Sequence, residues 1–292
     1  MLIGKNPLNE APDWFVKNIE NRPEECSVSV NGAEIKYFVW GDRSKKPLLL
    51  LHGYNAHSHW WDHIAPALTE SHCVVALDFS GMGESARREE YSQEIFVEDV
   101  KGVIDDLAWS ACTCIAHSMG GSIATLATST YPDFFEHLIL LDSMIVIPPN
   151  VAERMASNRP SARMVVASPD LETAMARFRL TPPQPCKDYV LRHIAETSYV
   201  EKSDGWHLKS DPLIPNTYKY NDLHDSFTKI NCELDYVYGQ ASRLVTKEVL
   251  EYMTYVGNMD EKNIHCLSGA MHHLFLDMPE EFIALIKDLI TK

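Results

Sequence analysis

Apolar and polar positions along the chain follow the repeating pattern of an α/β protein. Short, fully apolar runs, typical of buried parallel strands, alternate with segments whose apolar residues have helical spacing. The predicted buried strands are residues 47–51, 73–77, 111–115, 137–141, 234–238 and 263–267. The predicted helices between and after them are residues 60–68, 92–107, 121–127, 244–255 and 279–290.

An antiparallel hairpin is predicted ahead of these units. Residues 27–30 and 34–40 alternate apolar and polar side chains around the turn sequence Asn31-Gly32. Repeated strand-helix-strand units with short connections favour a parallel sheet with helices on both faces. We therefore predict an α/β fold with a mostly parallel, eight-stranded sheet.

The pattern changes between residues 147 and 229. This stretch is rich in proline and contains helix-like pieces at residues 171–178 and 189–196, but no strand pattern stands out. The alternation resumes afterwards, which indicates an insertion between two strands of one sheet. We expect an α/β core in residues 1–146 and 230–292, with residues 147–229 forming a helical cap, or lid, over the loop end of the sheet.

Composition limits the partners that we expect. The chain has 292 residues, with 26 basic and 41 acidic side chains and a net charge of −15, which argues against nucleic acid or an anionic membrane surface. The N-terminus has no secretory pattern, and the seven cysteines lack paired metal-binding spacing. We expect a cytoplasmic monomer or homodimer that acts on a small molecule and needs no cofactor.

The segment Ala116-His117-Ser118-Met119-Gly120 lies where a predicted buried strand passes into a helix. A serine at such a corner is exposed on a tight, strained turn, and small residues two positions before and after it give the backbone room. This is the pattern of a nucleophile elbow, with Ala116 in place of the usual first glycine. The simpler alternative is that Ser118 is a helix N-cap.

A serine hydroxyl becomes nucleophilic when a histidine accepts its proton and a carboxylate orients that histidine. The run from Ser268 to His273 follows the last predicted strand, so it lies at the end of the sheet where Ser118 is expected. We assign the base to His272, with His273 as the alternative. His117 points away from the apex of the elbow and is expected to be structural.

Four motifs in this order resemble the α/β-hydrolase-fold serine hydrolases, in particular carboxylesterases with a helical cap. They are His52-Gly53-Tyr54, the glycine-containing turn at residues 78–85, the elbow around Ser118, and the segment from Gly269 to His272. The resemblance implies an oxyanion hole formed by the backbone N–H groups of Tyr54 and Met119. It also disfavours the family's epoxide hydrolases and dehalogenases, which carry an aspartate where this chain has Ser118.

The acid departs from the commonest pattern of that family, which places it just after the strand that follows the cap. Residues 239–245 contain no carboxylate here. Some members carry the acid after the strand that follows the elbow helix, where this chain has Asp142. We therefore predict that Asp142 orients His272, in preference to another acid such as Asp235.

Two further groups of residues suggest possible sites. His57, His59 and His63 have spacing that a metal could use, although packing in a first helical turn is the simpler interpretation, and no metal is assigned. A substrate pocket beneath the cap is predicted to include apolar side chains, which alternatively form the core of the cap. These are Met144, Met155, Phe178 and Trp206.

The sequence thus predicts a serine esterase that works through an acyl-enzyme intermediate. A thioesterase or a hydrolase of carbon–carbon bonds is possible with the same three residues. An alternative of another class is a receptor-like protein that binds a small ligand and keeps a vestigial triad.

Overall fold

An eight-stranded sheet forms the centre of the molecule, which confirms the predicted fold class. The computed structural model describes residues 10–157 and 166–291. Its strands are β1 Glu24–Val30, β2 Ala33–Trp40, β3 Lys46–Leu51, β4 His72–Leu77, β5 Cys112–His117, β6 Phe135–Leu141, β7 Tyr199–Lys202, β8 Gly205–Leu208, β9 Glu233–Gly239 and β10 Ile264–Leu267. The large sheet has the order β1-β2-β4-β3-β5-β6-β9-β10, and β7 pairs only with β8.

The sheet is parallel except at one edge. β2 pairs antiparallel with both β1 and β4, and every other pair in the large sheet is parallel. The β1–β2 hairpin turns at Asn31 and Gly32, whose φ angles of 48° and 81° are those of a tight hairpin turn. The carboxyl ends of β3, β5 and β6 therefore lie side by side, and polar loops follow each of them.

Helices cover both faces of this sheet. They are α1 Asp13–Glu20, α2 Ala65–Leu68, α3 Gln93–Asp106, α4 Met119–Thr130, α5 Pro149–Ser157, α6 Leu171–Arg177, α7 Asp188–Thr197, α8 Ile214–Thr217, α9 His224–Thr228, α10 Lys247–Val256, α11 Leu274–Asp277 and α12 Pro279–Ile290. Along β3, Leu49 and Leu51 join one apolar cluster with α3 and α4, whereas Leu48 and Leu50 join another with α12. A strand buried on both sides explains the continuous apolar run in its sequence.

Two predicted helices are shorter than expected. Residues 58–61 form a 3₁₀ turn, and α2 is a separate four-residue helix that contains Pro66 near its start. Proline has no N–H to continue a preceding helix, so the apolar run could not form one element. α10 begins at Lys247 because the hydroxyl of Thr246 accepts a hydrogen bond from the N–H of Val249, which caps the helix.

The segment between β6 and β9 contains α5 to α9 and the β7–β8 hairpin, in addition to residues 158–165, which are outside the described part. The hairpin corrects the expectation that this stretch holds no strand: it turns at Ser203-Asp204 and its strands have only four residues each. Strands this short leave too few positions for alternation to be visible in the sequence. In the described residues, no helix combines the length and apolarity needed to span a bilayer.

Candidate active site

Ser118 occupies a strained turn between β5 and α4. Its φ and ψ are 54° and −116°, a combination that a residue with a side chain rarely adopts. The N–H of Ser118 donates to the carbonyl oxygen of Leu141 at 3.0 Å, which anchors the turn to the neighbouring strand β6. The serine is partly exposed, so the turn presents its hydroxyl at the loop end of the sheet, as predicted.

Small residues permit the close packing around this turn. A Cβ atom at Gly120 would lie 2.7 Å from the carbonyl oxygen of His52 and 2.8 Å from that of Leu51. Glycine at this position therefore allows α4 to begin against the end of β3. Ala116 is fully buried in β5, where its methyl group is accommodated without a special backbone conformation.

Asp142 and His272 are brought together at the loop end of the sheet. Nδ1 of His272 donates to Oδ1 of Asp142 at 2.8 Å, and both residues are almost completely buried. The same carboxylate accepts from the N–H of Gly239 at 2.9 Å and from the hydroxyl of Ser242 at 2.7 Å. These contacts fix the carboxylate against the histidine. Ser242 lies in the segment after β9 that lacks a carboxylate.

Asp235 lies elsewhere. It is near the amino end of β9, where His137 and His265 contact its two carboxylate oxygens at 2.8 and 2.6 Å. Burial opposes its ionisation, but the hydrogen bonds from these histidines outweigh that effect and lower the pKa of Asp235. Both carboxylate oxygens of Asp235 thus contact other histidines and not His272.

Three contacts hold the loop that carries His272. The N–H of Met271 donates to Asp277 at 2.8 Å, and the N–H of His273 donates to the side chain of Gln184 at 2.9 Å. Nε2–H of His117 donates to the carbonyl oxygen of His272 at 3.0 Å. Sequence reasoning missed Gln184 and Asp277, because nothing in their local sequence indicates partners on this loop.

Burial determines the charge of the groups around the loop. It lowers the pKa of His117 well below the ordinary value, so this ring is neutral and has the structural contact expected of it. Burial also raises the pKa of Asp277 to about 6. His273, the alternative base, packs edge-on against Trp60 and makes no hydrogen bond through either ring nitrogen in the described part of the chain.

The two proposed oxyanion donors follow His52-Gly53 and Ser118. Nδ1–H of His52 donates to the carbonyl oxygen of Gly53 at 2.8 Å, and its Nε2 accepts from the N–H of Phe79 at 3.2 Å. This buried ring, whose pKa is lowered by desolvation, holds the loop of Tyr54 to the end of β4. Within the described residues, the backbone N–H groups of Tyr54 and Met119 donate no hydrogen bond to another protein atom.

A small cavity joins the proposed catalytic residues. It has a volume of about 20 Å³, enough for about one water molecule, and it is lined by Tyr54, Ser118, His272 and neighbouring side chains. Met119 does not line it. No hydrogen bond joins the hydroxyl of Ser118 to His272 in residues 10–157 and 166–291; such contacts are often long before substrate binds.

A larger pocket of about 230 Å³ adjoins this cavity. Of the predicted pocket residues, Phe178 lines it, whereas Met144, Met155 and Trp206 line neither of these two cavities. Met144 packs against the apolar cluster of α3 and α4, Met155 is 42% exposed, and Trp206 lies on β8 with its backbone bonded to Ser168. These side chains therefore serve packing or face solvent rather than the two cavities.

The histidines near residue 60 have separate partners. Nε2 of His57 contacts the hydroxyl of Ser198 at 2.9 Å, Nδ1 of His59 contacts Asp62, and Nε2 of His63 contacts the carbonyl oxygen of Phe275 at 2.8 Å. The 3₁₀ turn directs these rings to different neighbours. Among the described residues, two other groups have potential metal-ligand atoms within 4.8 Å of one another. They are His117-His272-His273 and His137-Glu233-Asp235.

The turn at residues 78–85 folds around a buried carboxylate. Asp78 accepts hydrogen bonds from the N–H of Ser58 at 2.6 Å and from that of Glu84 at 2.7 Å. A Cβ atom at Gly83, where φ is 57°, would lie 2.1 Å from an oxygen of Asp78. These contacts give the segment a structural role.

Known proteins resemble this chain in part of their sequence and in fold. A serine hydrolase-like protein of Danio rerio is 33% identical over 138 residues, which are 46% of this chain and 42% of that protein. Epoxide hydrolase 4 of Mus musculus is 36% identical over 122 residues, 40% of this chain and 34% of that protein. The matches span less than half the length of these curated relatives.

A solved esterase from Mycobacterium tuberculosis shares the fold, with a TM-score of 0.74 over 97% of this chain and 99% of that chain, at 22% identity. The family model described as alpha/beta hydrolase fold matches residues 46–254. This match begins with β3, includes Ser118 and Asp142, and covers more than half of the sequence. The chain therefore belongs to the alpha/beta hydrolase family.

Proposed function

We propose that this protein hydrolyses carboxylic esters of small or medium acyl groups through an acyl-enzyme intermediate. One observation carries the proposal: Ser118 and His272 line the same cavity, while Asp142 accepts the hydrogen bond from the far nitrogen of His272. A nucleophile, a base and a group that orients the base are thus available at one point on the sheet.

The hydrogen bonds support a role for each group in this proposal. Because Nδ1 of His272 carries the proton donated to Asp142, its Nε2 has a free lone pair and can accept the proton of Ser118. Attack of Ser118 on the ester carbonyl gives a tetrahedral oxyanion. The N–H groups of Tyr54 and Met119 would stabilise it, with about 3 kcal/mol of transition-state stabilisation at stake for one such donor.

Collapse of this intermediate breaks the ester bond. His272 returns its proton to the departing alcohol, and Ser118 retains the acyl group. Water, deprotonated by the same histidine, then attacks the acyl-enzyme carbonyl and releases the acid. Asp142 stabilises the imidazolium that forms in both steps.

The chemistry of serine favours acyl transfer over epoxide opening, although several relatives are named epoxide hydrolases. If Ser118 opened an epoxide, it would form an alkyl ether, which has no carbonyl carbon for water to attack. The enzyme would then be blocked after one turnover. Attack on an acyl carbonyl instead gives an ester, which the same base can hydrolyse.

We would test the proposal with p-nitrophenyl esters from acetate to decanoate, using the wild type and Ser118→Ala in parallel. We expect turnover that is greatest at one chain length and is lost in the variant, while circular dichroism shows an unchanged fold. Absence of wild-type turnover across the series would contradict the ester proposal. Parallel assays of thioesters and β-diketones would then examine the related hydrolases, and ligand binding without any turnover would favour a receptor.

A further inference from the structure

We infer that the pocket beside Ser118 binds an anionic end group of the substrate, a carboxylate or a phosphate, through Arg177 and Arg179. The inference rests on the proposed function, because it assigns a substrate class to the same site. It is carried by the charge of the pocket, the free donors of the two guanidinium groups, and the residues that the pocket shares with the cavity at Ser118.

The pocket is basic in an acidic protein. Arg177, Arg179 and Lys209 line it, and no aspartate or glutamate does so among the described residues. The chain as a whole has a net charge of −15. Because this pocket is positively charged, it would attract anions even though the net charge of the molecule is negative.

The two arginines have no internal counter-ion. Lys209 is paired with Glu84, whereas neither arginine forms an ion pair with any described residue. Residues 1–9, 158–165 and 292 contain no acidic side chain in their sequence. The charges of Arg177 and Arg179 are therefore available to an anionic ligand.

The contacts that these arginines do make hold them at the pocket and leave donors free. Nη1 of Arg177 donates to the hydroxyl of Ser168 at 3.2 Å. Nη1 of Arg179 donates to the carbonyl oxygens of Ala176 and Phe178 at 2.8 and 2.6 Å. A guanidinium group has five N–H donors in a planar fork, so most of them remain free for the oxygens of a carboxylate or phosphate.

The arginine pocket adjoins the cavity at the nucleophile. Tyr54, Ala56, Trp60 and Thr181 line both spaces. Phe178, between the two arginines in sequence, supplies an apolar wall. A substrate whose ester carbonyl lies at Ser118 can therefore extend past Trp60 and Thr181 and present its charged end to the arginines.

The first test compares two esters of equal chain length, p-nitrophenyl hydrogen adipate and its neutral methyl ester. We expect wild-type kcat/KM to be about tenfold higher for the anionic ester, mainly through KM, as one charge-assisted contact would give. Arg177→Gln and Arg179→Gln should each lower this preference about fivefold. Arg192→Gln, which breaks a pair with Glu172 outside the pocket, is the matched control and should leave the preference unchanged.

A phosphonate-terminated ester of the same length distinguishes phosphate from carboxylate recognition. Ser118→Ala corrects every rate for spontaneous hydrolysis. Equal kcat/KM for anionic and neutral esters in the wild type would overturn the inference, as would a preference that both arginine variants retain. Greater ionic strength should reduce the preference in the wild type, because the arginines are exposed.

A binding measurement separates this inference from the proposed function. Monomethyl adipate and dimethyl adipate are titrated by calorimetry into Ser118→Ala and into the Ser118→Ala/Arg177→Gln/Arg179→Gln variant, which cannot hydrolyse them through Ser118, while ester turnover is measured on the wild type. Binding of the monoanion that depends on the arginines, without turnover of any ester, would refute the esterase proposal and leave the anion site in place. Ester turnover with equal binding of both probes would refute the anion site alone.

Discussion

Asp142 accepts three hydrogen bonds in a place where solvent does not reach it. The donors are His272 in the loop after β10, Gly239 at the end of β9, and Ser242 in the loop that follows β9. Three donors hold the carboxylate in a fixed position, from which it can orient His272 and stabilise an imidazolium. In the proposed mechanism the acid therefore acts from the end of β6, and Ser242 is a positioning residue from the segment after β9.

Replacing Asp142 by asparagine tests this role. We expect Asp142→Asn to lower kcat by about 10³–10⁴-fold, because the amide cannot stabilise the imidazolium and permits the wrong histidine tautomer. The fold should be retained, as shown by circular dichroism. Asp235→Asn is the matched control: it also removes a buried carboxylate bonded to histidines, and it should affect stability but not kcat. Near-normal kcat in Asp142→Asn would reject the assignment.

The candidate site residues differ in how well the sequence alone indicates them. Ser118 lies in a motif whose small neighbours reflect backbone crowding, and Asp142 follows a strand that must adjoin the elbow strand. Ser242 and Gln184 act through partners about 90 residues or more away in the chain, so no local pattern indicates them. Met155 and Trp206 line neither described cavity, and the sequence cannot indicate this, because apolar side chains occur in pockets, in cores and on surfaces.

Between elements, a buried carboxylate links the 3₁₀ turn at residues 58–61 to helix α7. Asp62 accepts hydrogen bonds from Nε2 of His193 on α7 at 2.9 Å and from Nδ1 of His59 at 3.1 Å. Burial opposes ionisation, but these contacts outweigh it and lower the pKa of Asp62 from 3.8 to about 2. The turn that precedes α2 is thus fastened to the segment between β6 and β9.

This link predicts a pH-dependent loss of stability in Asp62→Asn. A pKa lower in the folded state means that the carboxylate stabilises the fold fully above about pH 4 and loses this effect as the pH falls towards 2. The shift corresponds to about 2 kcal/mol at neutral pH. Urea unfolding at several pH values should show this difference at pH 7 and a smaller one at pH 3.

The exposed pair of Asp105 with Lys101 supplies the control for that experiment. Asp105→Asn should change the unfolding free energy by less than about 0.5 kcal/mol, because the carboxylate is 57% exposed and its ion pair is screened by solvent. A difference between Asp62→Asn and wild type that stays constant from pH 7 to pH 3 would contradict ionic stabilisation by Asp62.

Element prediction succeeds where the periodic pattern is long. The fully apolar strands and the terminal helix α12 have the expected positions, because burial on both faces or a continuous helical stripe leaves a strong pattern. The short elements α1, α11 and the β7–β8 hairpin were missed. Their residues pair or pack with distant segments, as Trp206 does with Ser168, and local sequence carries little information about such contacts.

At the scale of the whole molecule, the segment between β6 and β9 shares a core with the sheet. Met175, Phe178, Val190 and Ile194 of that segment belong to the same apolar cluster as Leu48 and Leu50 of β3 and Phe282 of α12. We therefore expect the proposed cap, residues 147–229, and the sheet to unfold together, although the segment is inserted in the chain.

Met175→Ala tests this coupling, because Met175 is 1% exposed within the shared cluster. The cavity left by the side chain should lower the free energy of unfolding by about 2–3 kcal/mol. Urea transitions followed by far-ultraviolet circular dichroism and by tryptophan fluorescence should stay coincident and move together. Met155→Ala, at a methionine of the same segment that is 42% exposed, should change stability by less than about 0.5 kcal/mol. If Met175→Ala instead produced a separate early transition while the main transition kept its wild-type midpoint, the segment would be a cap that unfolds on its own, and the shared cluster would contribute little to the stability of the sheet.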